Sequence, residues 1–387
     1  MPKISQNPPA ATPNRPPFEC IALLLQGGGA LGAFQAGVYE AMAEAGIFPD
    51  WVAGISIGAI NAALIAGNPP AERVGALRRF WEGVTATSGW GVVGDPLAQF
   101  ARGTDARQLA NQVSASTTML RGVPGFFAPR APGPWLQPRG SVEATSYYDT
   151  AALLPTLERL VDFDRINAGE MRFSVGAVNV RSGNFVYFDT TTHRIEPAHV
   201  AASGSLPPGF PATEIDGEHY WDGGLISNTP LQWVLQFGPR QDTLAFEVDL
   251  WSATGDFPQS MAEVTTRQKE ILYSSRTREN TDHFKKLQQI RHAVATVLNT
   301  VPEELRSGPE YEMLREHADH KVYSLVHLIY RARQYEGDSK DYEFSRISME
   351  EHWRAGYLDT RRSLQNPRAT ARPRAGDGLA VFDIHDE

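Results

Sequence analysis

The chain opens on polar, proline-rich residues and turns abruptly hydrophobic at 21–25, a continuous run of five apolar side chains that predicts a buried strand. Gln26-Gly27-Gly28-Gly29 then makes a turn, and 30–45 has the composition of a helix closed by Gly46. The unit repeats. Residues 51–55 predict a second strand with Ser56 at its end, and 57–66 are small and apolar enough for a helix packed closely on a sheet. Gly67-Asn68-Pro69-Pro70 stops that helix, and 71–81 predict another. A strand-helix-strand-helix start of this kind requires a right-handed crossover into a parallel sheet.

Past residue 83 the periodicity fades. Residues 83–146 are rich in Gly, Pro and Ser with scattered aromatics (Trp90, Phe100, Phe126, Phe127, Trp135) and read as an insertion. Regular pattern returns with a helix at 149–161, strands at 172–180 and 184–189 joined by a hairpin at Arg181-Ser182-Gly183, and a strand at 244–250. Beyond Met261 the composition shifts to long polar helices, with Phe284, Leu287, Ile290, Val294 and Leu298 at helical spacing over 261–298. The expected division is a disordered leader over 1–19, an α/β unit over 20–255 carrying the insertion, a helical extension over 256–365 and a mobile tail over 366–387. There is no internal repeat.

Composition narrows the function classes. Hydrophobic residues at 42% and charged residues at 21% are those of a globular chain. With 36 Lys and Arg against 45 Asp and Glu the net charge is -9. That gives phosphate backbones no broad attraction, so no nucleic-acid partner is expected. Cys20 is the single cysteine, which excludes an intrachain disulfide and a thiolate metal cluster. His193, His199 and His219 have no metal-ligand spacing, and neither metal nor cofactor is expected. The leader lacks an apolar signal core and no run approaches the ~20 apolar residues of a membrane span, so the expectation is a soluble, cytoplasmic protein.

Gly54-Ile55-Ser56-Ile57-Gly58 matches G-x-S-x-G, in which the glycines permit a sharp strand-to-helix turn that lifts the serine hydroxyl clear of the sheet. Its position between an apolar strand and a small-residue helix is the context that motif demands. Gly27-Gly28-Gly29-Ala30-Leu31-Gly32 fits G-x-G-x-x-G after a strand, the dinucleotide fingerprint. That reading wants an acid at the end of the second strand, where Ser56 stands instead. The same loop has another use, because backbone N–H groups at a helix N-terminus can hold an oxyanion. Asp222-Gly223-Gly224 closes a predicted strand; read alone it is a turn signature.

These motifs, in this order over about residues 20–232, resemble the patatin-like phospholipase family. Its glycine-rich oxyanion loop corresponds to Gly27-Gly28-Gly29-Ala30-Leu31-Gly32, its nucleophile elbow to Gly54-Ile55-Ser56-Ile57-Gly58, and its Asp-Gly-Gly to Asp222-Gly223-Gly224. The stretch 202–211, ASGSLPPGFP, looks like the segment ahead of that aspartate. The part beyond Met261 is similar to the extension that follows the catalytic domain in a set of bacterial patatin-like proteins.

The resemblance implies an α/β three-layer sandwich with a mostly parallel central sheet, plus a C-terminal mainly helical extension. It implies a serine acyl hydrolase without cofactor, in which Ser56 is the nucleophile, Asp222 the base, and Gly27, Gly28, Gly29 and Ala30 form the oxyanion hole. Gly32, Gly54, Gly58, Gly223 and Gly224 shape the turns. The implied partner is a lipid or other acyl ester; peripheral membrane contact is compatible with it and, at this net charge, would be apolar in kind. One departure is Leu31, where the family usually has Arg or Lys. The insertion reads either as a lid whose aromatics meet lipid or as cover for a core. A catalytically weak acyl-binding scaffold and a dinucleotide-binding protein stand as the alternative readings.

Overall fold

The central strand of the sheet is built from the run that opens the α/β pattern. A computed structural model of the chain describes residues 15–85, 104–238, 240–274, 277–333 and 335–384. Strand β1 (Cys20–Leu25) is buried throughout, because a strand covered on both faces has no polar side to alternate with. Ile21, Leu23 and Leu25 face one core, while Cys20, Ala22 and Leu24 face the other. The remaining strands are β2 (Trp51–Gly54), a two-residue ribbon β3 (Ala128–Pro129) and β4 (Tyr148–Asp149), β5 (Arg172–Asn179), β6 (Phe185–Asp189), β7 (Thr213–Ile215), β8 (Glu218–Asp222), β9 (Thr243–Asp249), β10 (Tyr323–Ile329) and β11 (Leu379–Asp383). The main sheet runs β11-β10-β9-β1-β2-β5-β8-β7, with β6 also on β5. From β11 to β5 all neighbours are parallel; β6, β7 and β8 join antiparallel.

Helices cover both faces, giving three layers. On one side lie α1 (Ala33–Glu44), α2 (Ile57–Ala66) and α3 (Arg73–Val84), with Phe34, Ile60 and Phe80 in the core. On the other lie the helices Leu231–Phe237 and Thr277–Leu298, with Val234 and Phe284. Tyr39 and Trp51 are core residues. The α1 helix begins later than its composition predicts, because Gly29–Gly32 first form a 3₁₀ turn.

The segment beyond 255 differs most from expectation. It is helical in part, but β10 and β11 continue the main sheet, β11 lying within the tail expected to be mobile. The helix Arg346–Gln365 packs on α1 at backbone distance: a Cβ on Gly37 would lie 1.9 Å from the Trp353 carbonyl oxygen, and one on Gly356 2.0 Å from that of Phe34. The expected 261–298 helix is two helices, Met261–Tyr273 and Thr277–Leu298. On the second, Phe284 and Leu298 are buried, Leu287 and Val294 half-buried and Ile290 exposed, so the covered stripe is rotated toward Gln288 and His292. Their side chains bond the Lys321 carbonyl, satisfying polar groups that apolar spacing does not foresee.

In the insertion, residues 86–103, including Trp90 and Phe100, lie outside the described residues, as do 1–14 of the leader. The described part holds a helix, Thr104–Arg121, that the pattern did not predict. Its Ser116 and Thr117 hydroxyls bond carbonyls four residues back, a use of poor helix formers that composition hides. Phe126 and Phe127 are buried in a ring cluster with Phe210 and Phe344, while Trp135 is 82% exposed.

Candidate active site

Sheet register brings Ser56 and Asp222 together. Both β2 and β6 pair with Ser174 and Val175, and both β6 and β8 pair with Ala177 and Val178. A strand has two edges, so β2 and β8 share one edge of β5 and β6 holds the other. Parallel β2 ends at Gly54 opposite Val175; antiparallel β8 ends at Asp222 opposite Ala177. The two strands therefore meet end to end, and Ser56 and Asp222 both emerge at the junction. The Ser56 hydroxyl lies close enough to the Asp222 carboxylate to stabilise its charged form.

Ser56 sits in a strained turn, with φ 56° and ψ -125°. A non-glycine residue there costs on the order of 1–3 kcal/mol and persists only where its surroundings fix it. They do so by several bonds. Ile55 N–H donates to the Leu25 carbonyl at 3.0 Å, and Gly58 N–H to that of Ile55 at 2.8 Å. Ser56 N–H donates to Ser203 Oγ at 3.1 Å, and that hydroxyl donates to the Gly176 carbonyl at 2.6 Å. The turn closes so tightly that a Cβ on Gly54 would lie 2.2 Å from the Gly58 carbonyl oxygen. Ser56 also caps α2, whose N-terminal dipole favours negative charge at the hydroxyl.

Asp222 is 1% exposed. Its N–H donates to the Ser205 carbonyl at 3.0 Å, and its Oδ1 accepts the Gly224 N–H at 2.7 Å. Burial pushes its carboxyl up to about 7, against the opposing pull of the Ser56 hydroxyl and the Gly224 N–H. Among the described hydrogen bonds none joins a histidine to either residue: His199 caps the helix Pro197–Ser203 with Glu196, and His193 lies by Asp189.

The glycine loop packs beside this pair, a Cβ on Gly27 falling 3.0 Å from Ser56 Cβ. Of the four residues expected to offer donors, two spend their N–H groups inside the protein. Gly27 N–H bonds the Asn228 carbonyl at 3.2 Å and Ala30 N–H that of Asp341 at 2.8 Å. The N–H groups of Gly28 and Gly29 are the candidates that remain. Gly32 lies at the start of α1, and Gly223 follows Asp222 in a 3₁₀ turn. Leu31 is fully buried in the core and places no charge at the loop. Asp50, the nearest acid to β2, accepts the Ile21 N–H at the opposite end of the strands, so the loop has no acidic residue for a ribose.

Several residues that brace the glycine loop carry little or no signal in the sequence. Asn228 Nδ2 donates to the Gly27 and Tyr273 carbonyls at 3.0 and 2.8 Å, and Trp251 Nε1 to the Gly27 carbonyl at 3.1 Å. Asn228 lies in the run that follows Asp222-Gly223-Gly224, which was its only signal; Trp251, Tyr273 and Asp341 had none. A largely apolar pocket of about 350 Å³ opens alongside, lined by Met119 and Phe127 of the insertion, Leu206 and Phe210, and Leu272 and Tyr273 of the C-terminal segment. Neither Ser56 nor Asp222 lines it, but two of its residues lead to the pair: Leu206 follows the Ser205 that holds Asp222, and the Tyr273 phenol is raised by burial and by the charges of Asp341 and Asp222.

Among the described residues no group of three or more His, Cys, Asp or Glu could hold a metal ion, and no helix is long and apolar enough to cross a membrane. In comparison with family models, residues 23–234 match that of the patatin-like phospholipases and 271–376 a second model described as patatin phospholipase. The comparison with curated proteins finds no match. Among solved structures the chain is similar to VipD from Legionella pneumophila, at 13% identity over 95% of this chain and 72% of that one, with TM-score 0.33. It is also similar to a chain of the complex of SpcU with ExoU from the type III secretion system of Pseudomonas aeruginosa, at 16% identity over 79% and 68%, with TM-score 0.24.

Proposed function

Given that this chain belongs to the patatin-like phospholipase family and is a hydrolase of lipid ester bonds, we propose that it works through an acyl-enzyme formed on Ser56 with Asp222 as the base. The Ser56 oxygen attacks the ester carbonyl while its proton passes to Asp222. The tetrahedral oxyanion is held by the N–H groups of Gly28 and Gly29 beside the N-terminus of α2. As the intermediate collapses, Asp222 returns the proton to the departing alcohol. Water then attacks the acyl-enzyme, losing its proton to Asp222, which returns it to the Ser56 oxygen as the acyl–serine bond breaks and the free acid leaves. The acyl chain occupies the apolar pocket between Phe127, Phe210 and Leu272.

The observation that carries this reading is the proximity of the Ser56 hydroxyl to an almost fully buried Asp222, whose charge it stabilises. An ordinary aspartate, with its pKa near 3.9, is a feeble base at neutral pH. Raised to about 7, it is matched to its task, because a general base works best with its pKa near the operating pH. The test is hydrolysis of p-nitrophenyl butyrate and of dispersed phospholipid by the full chain. Ser56→Ala and Asp222→Asn are each expected to lose at least about a thousandfold in kcat while remaining folded. Wild-type activity in either folded variant overturns the dyad.

A further inference from the structure

The C-terminal segment touches the catalytic loop at Asp341. Its carbonyl accepts the Ala30 N–H at 2.8 Å. Gly29, at φ +55°, is pressed so closely by the same oxygen that a Cβ there would lie 2.1 Å from it. Ala30 directly follows the two residues whose N–H groups are left to hold an oxyanion, so whatever fixes Asp341 also fixes their direction. Lys269 fixes it. The ammonium bonds the two Asp341 carboxylate oxygens at 2.9 and 3.2 Å and the Asp338 carbonyl at 2.9 Å, and it lies 4.9 Å from the centre of the Tyr342 ring. All its partners belong to one short stretch, 338–342, while Lys269 itself stands on the helix Met261–Tyr273. Its charge is thus committed within the protein and ties that helix to the stretch that braces the loop.

We propose that Lys269 is a positioning residue for the oxyanion loop, acting through Asp341. The inference rests on the reading of Gly28 and Gly29 as oxyanion donors. Without the ammonium, a partly buried carboxylate would lose its partner, and the 338–342 stretch would shift to hydrate it. Ala30 would then lose its acceptor and the neighbouring donors their alignment. Oxyanion donors engage as charge develops on the carbonyl oxygen, so the loss falls on kcat and leaves substrate binding largely alone. A surface ion pair with no such role would alter stability only slightly and kcat not at all.

The experiment measures p-nitrophenyl butyrate kinetics, the rate of Ser56 labelling by a fluorophosphonate and thermal unfolding for the wild type, Lys269→Met, Lys269→Arg and Asp341→Asn in the full chain. Lys269→Met is expected to lower kcat by about tenfold or more, short of the 10²–10³ seen when a donor is removed outright. KM should stay within about twofold and labelling should slow in parallel. Lys269→Arg should keep most of the activity, and Asp341→Asn, which retains the carbonyl, should fall between. Wild-type kcat and labelling in folded Lys269→Met overturn the proposal, as does a raised KM at unchanged kcat. If Lys269→Met does not fold, wild-type kcat in Asp341→Asn overturns it. Failure of the wild type itself to label at Ser56 is a separate result, which removes the catalytic reading.

Discussion

The hydroxyl of Ser56 stabilises the charged carboxylate of Asp222 where β2 and β8, approaching from opposite directions along one edge of β5, both end. Neither strand continues past the junction, and the chain turns away after each residue, into α2 after Ser56 and into a 3₁₀ turn after Asp222. The arrangement buries the carboxylate, and burial sets its basicity.

The first consequence is the pH dependence of the rate. The proposed base, Asp222, can take a proton only when ionised, and its carboxyl is pushed up to about 7. The logarithm of kcat/KM for a neutral ester should therefore climb with a slope near one up to about pH 7 and then level off. A series from pH 5 to 9 measures this. An inflection near 4, with a flat profile above it, would mean an ordinary exposed carboxylate.

The same burial affects stability in the opposite sense. A carboxyl whose pKa is raised on folding holds its proton in the native state at pH values where the unfolded chain has lost it. Stability is then greatest below the unfolded value and falls as pH rises toward about 7. Asp222→Asn removes that penalty and should raise the unfolding temperature at pH 7.5 while abolishing hydrolysis. At about 1.4 kcal/mol per pKa unit the gain is at most about 4 kcal/mol. Thermal unfolding at pH 5 and 7.5 checks it: the advantage of the variant should be the smaller at pH 5.

Ser203 holds the strained serine by accepting the Ser56 N–H and donating to the Gly176 carbonyl. Ser203→Ala removes both bonds in a fully buried site. The expected cost is about 1–3 kcal/mol of stability, with a several-fold lower kcat as the turn loosens. Chemical denaturation together with ester kinetics measures the two effects, and unchanged values for both would show that the turn is held without Ser203.

The motifs made the site legible because each needs a local backbone shape that only certain residues adopt. Ser56 follows a buried strand and opens a small-residue helix, and Asp222 closes a strand before two glycines; both signals survive in a single sequence. What the sequence hid was long-range. The run VYSLVHLIY at 322–330 is apolar enough for a strand, but its place beside β9 is a long-range contact that composition does not announce, and 379–383 fall in a Gly-rich, charged tail. Asp341 was invisible for a related reason: it braces Ala30 with its main-chain carbonyl, which any residue could offer. The number of oxyanion donors was over-read because a glycine loop reveals that N–H groups are accessible, not which of them are already bonded.

The docking of Arg346–Gln365 on α1 gives a further prediction. Gly356→Ala would place a methyl carbon 2.0 Å from the Phe34 carbonyl oxygen, between two backbones that cannot both stay in place. The expected loss is about 2 kcal/mol or more, despite alanine being the better helix former. Denaturant unfolding would contradict the close packing if it showed a gain.

The pocket predicts how acyl preference can be altered. Leu272 lines it yet is 66% exposed, so a larger side chain there can narrow the pocket without disturbing the core. Leu272→Trp should lower kcat/KM for long-chain p-nitrophenyl esters several-fold and spare the butyrate. An equal effect at every chain length would place the acyl group elsewhere.

The most direct test of the dyad is the site and rate of covalent capture by a fluorophosphonate, read by mass spectrometry of the intact chain and its peptides. A Ser56–Asp222 dyad gives a single adduct on Ser56, absent in Ser56→Ala and formed at least about a hundredfold more slowly in Asp222→Asn at pH 7.5. An adduct on another residue, or equal labelling rates in the wild type and Asp222→Asn, would contradict it.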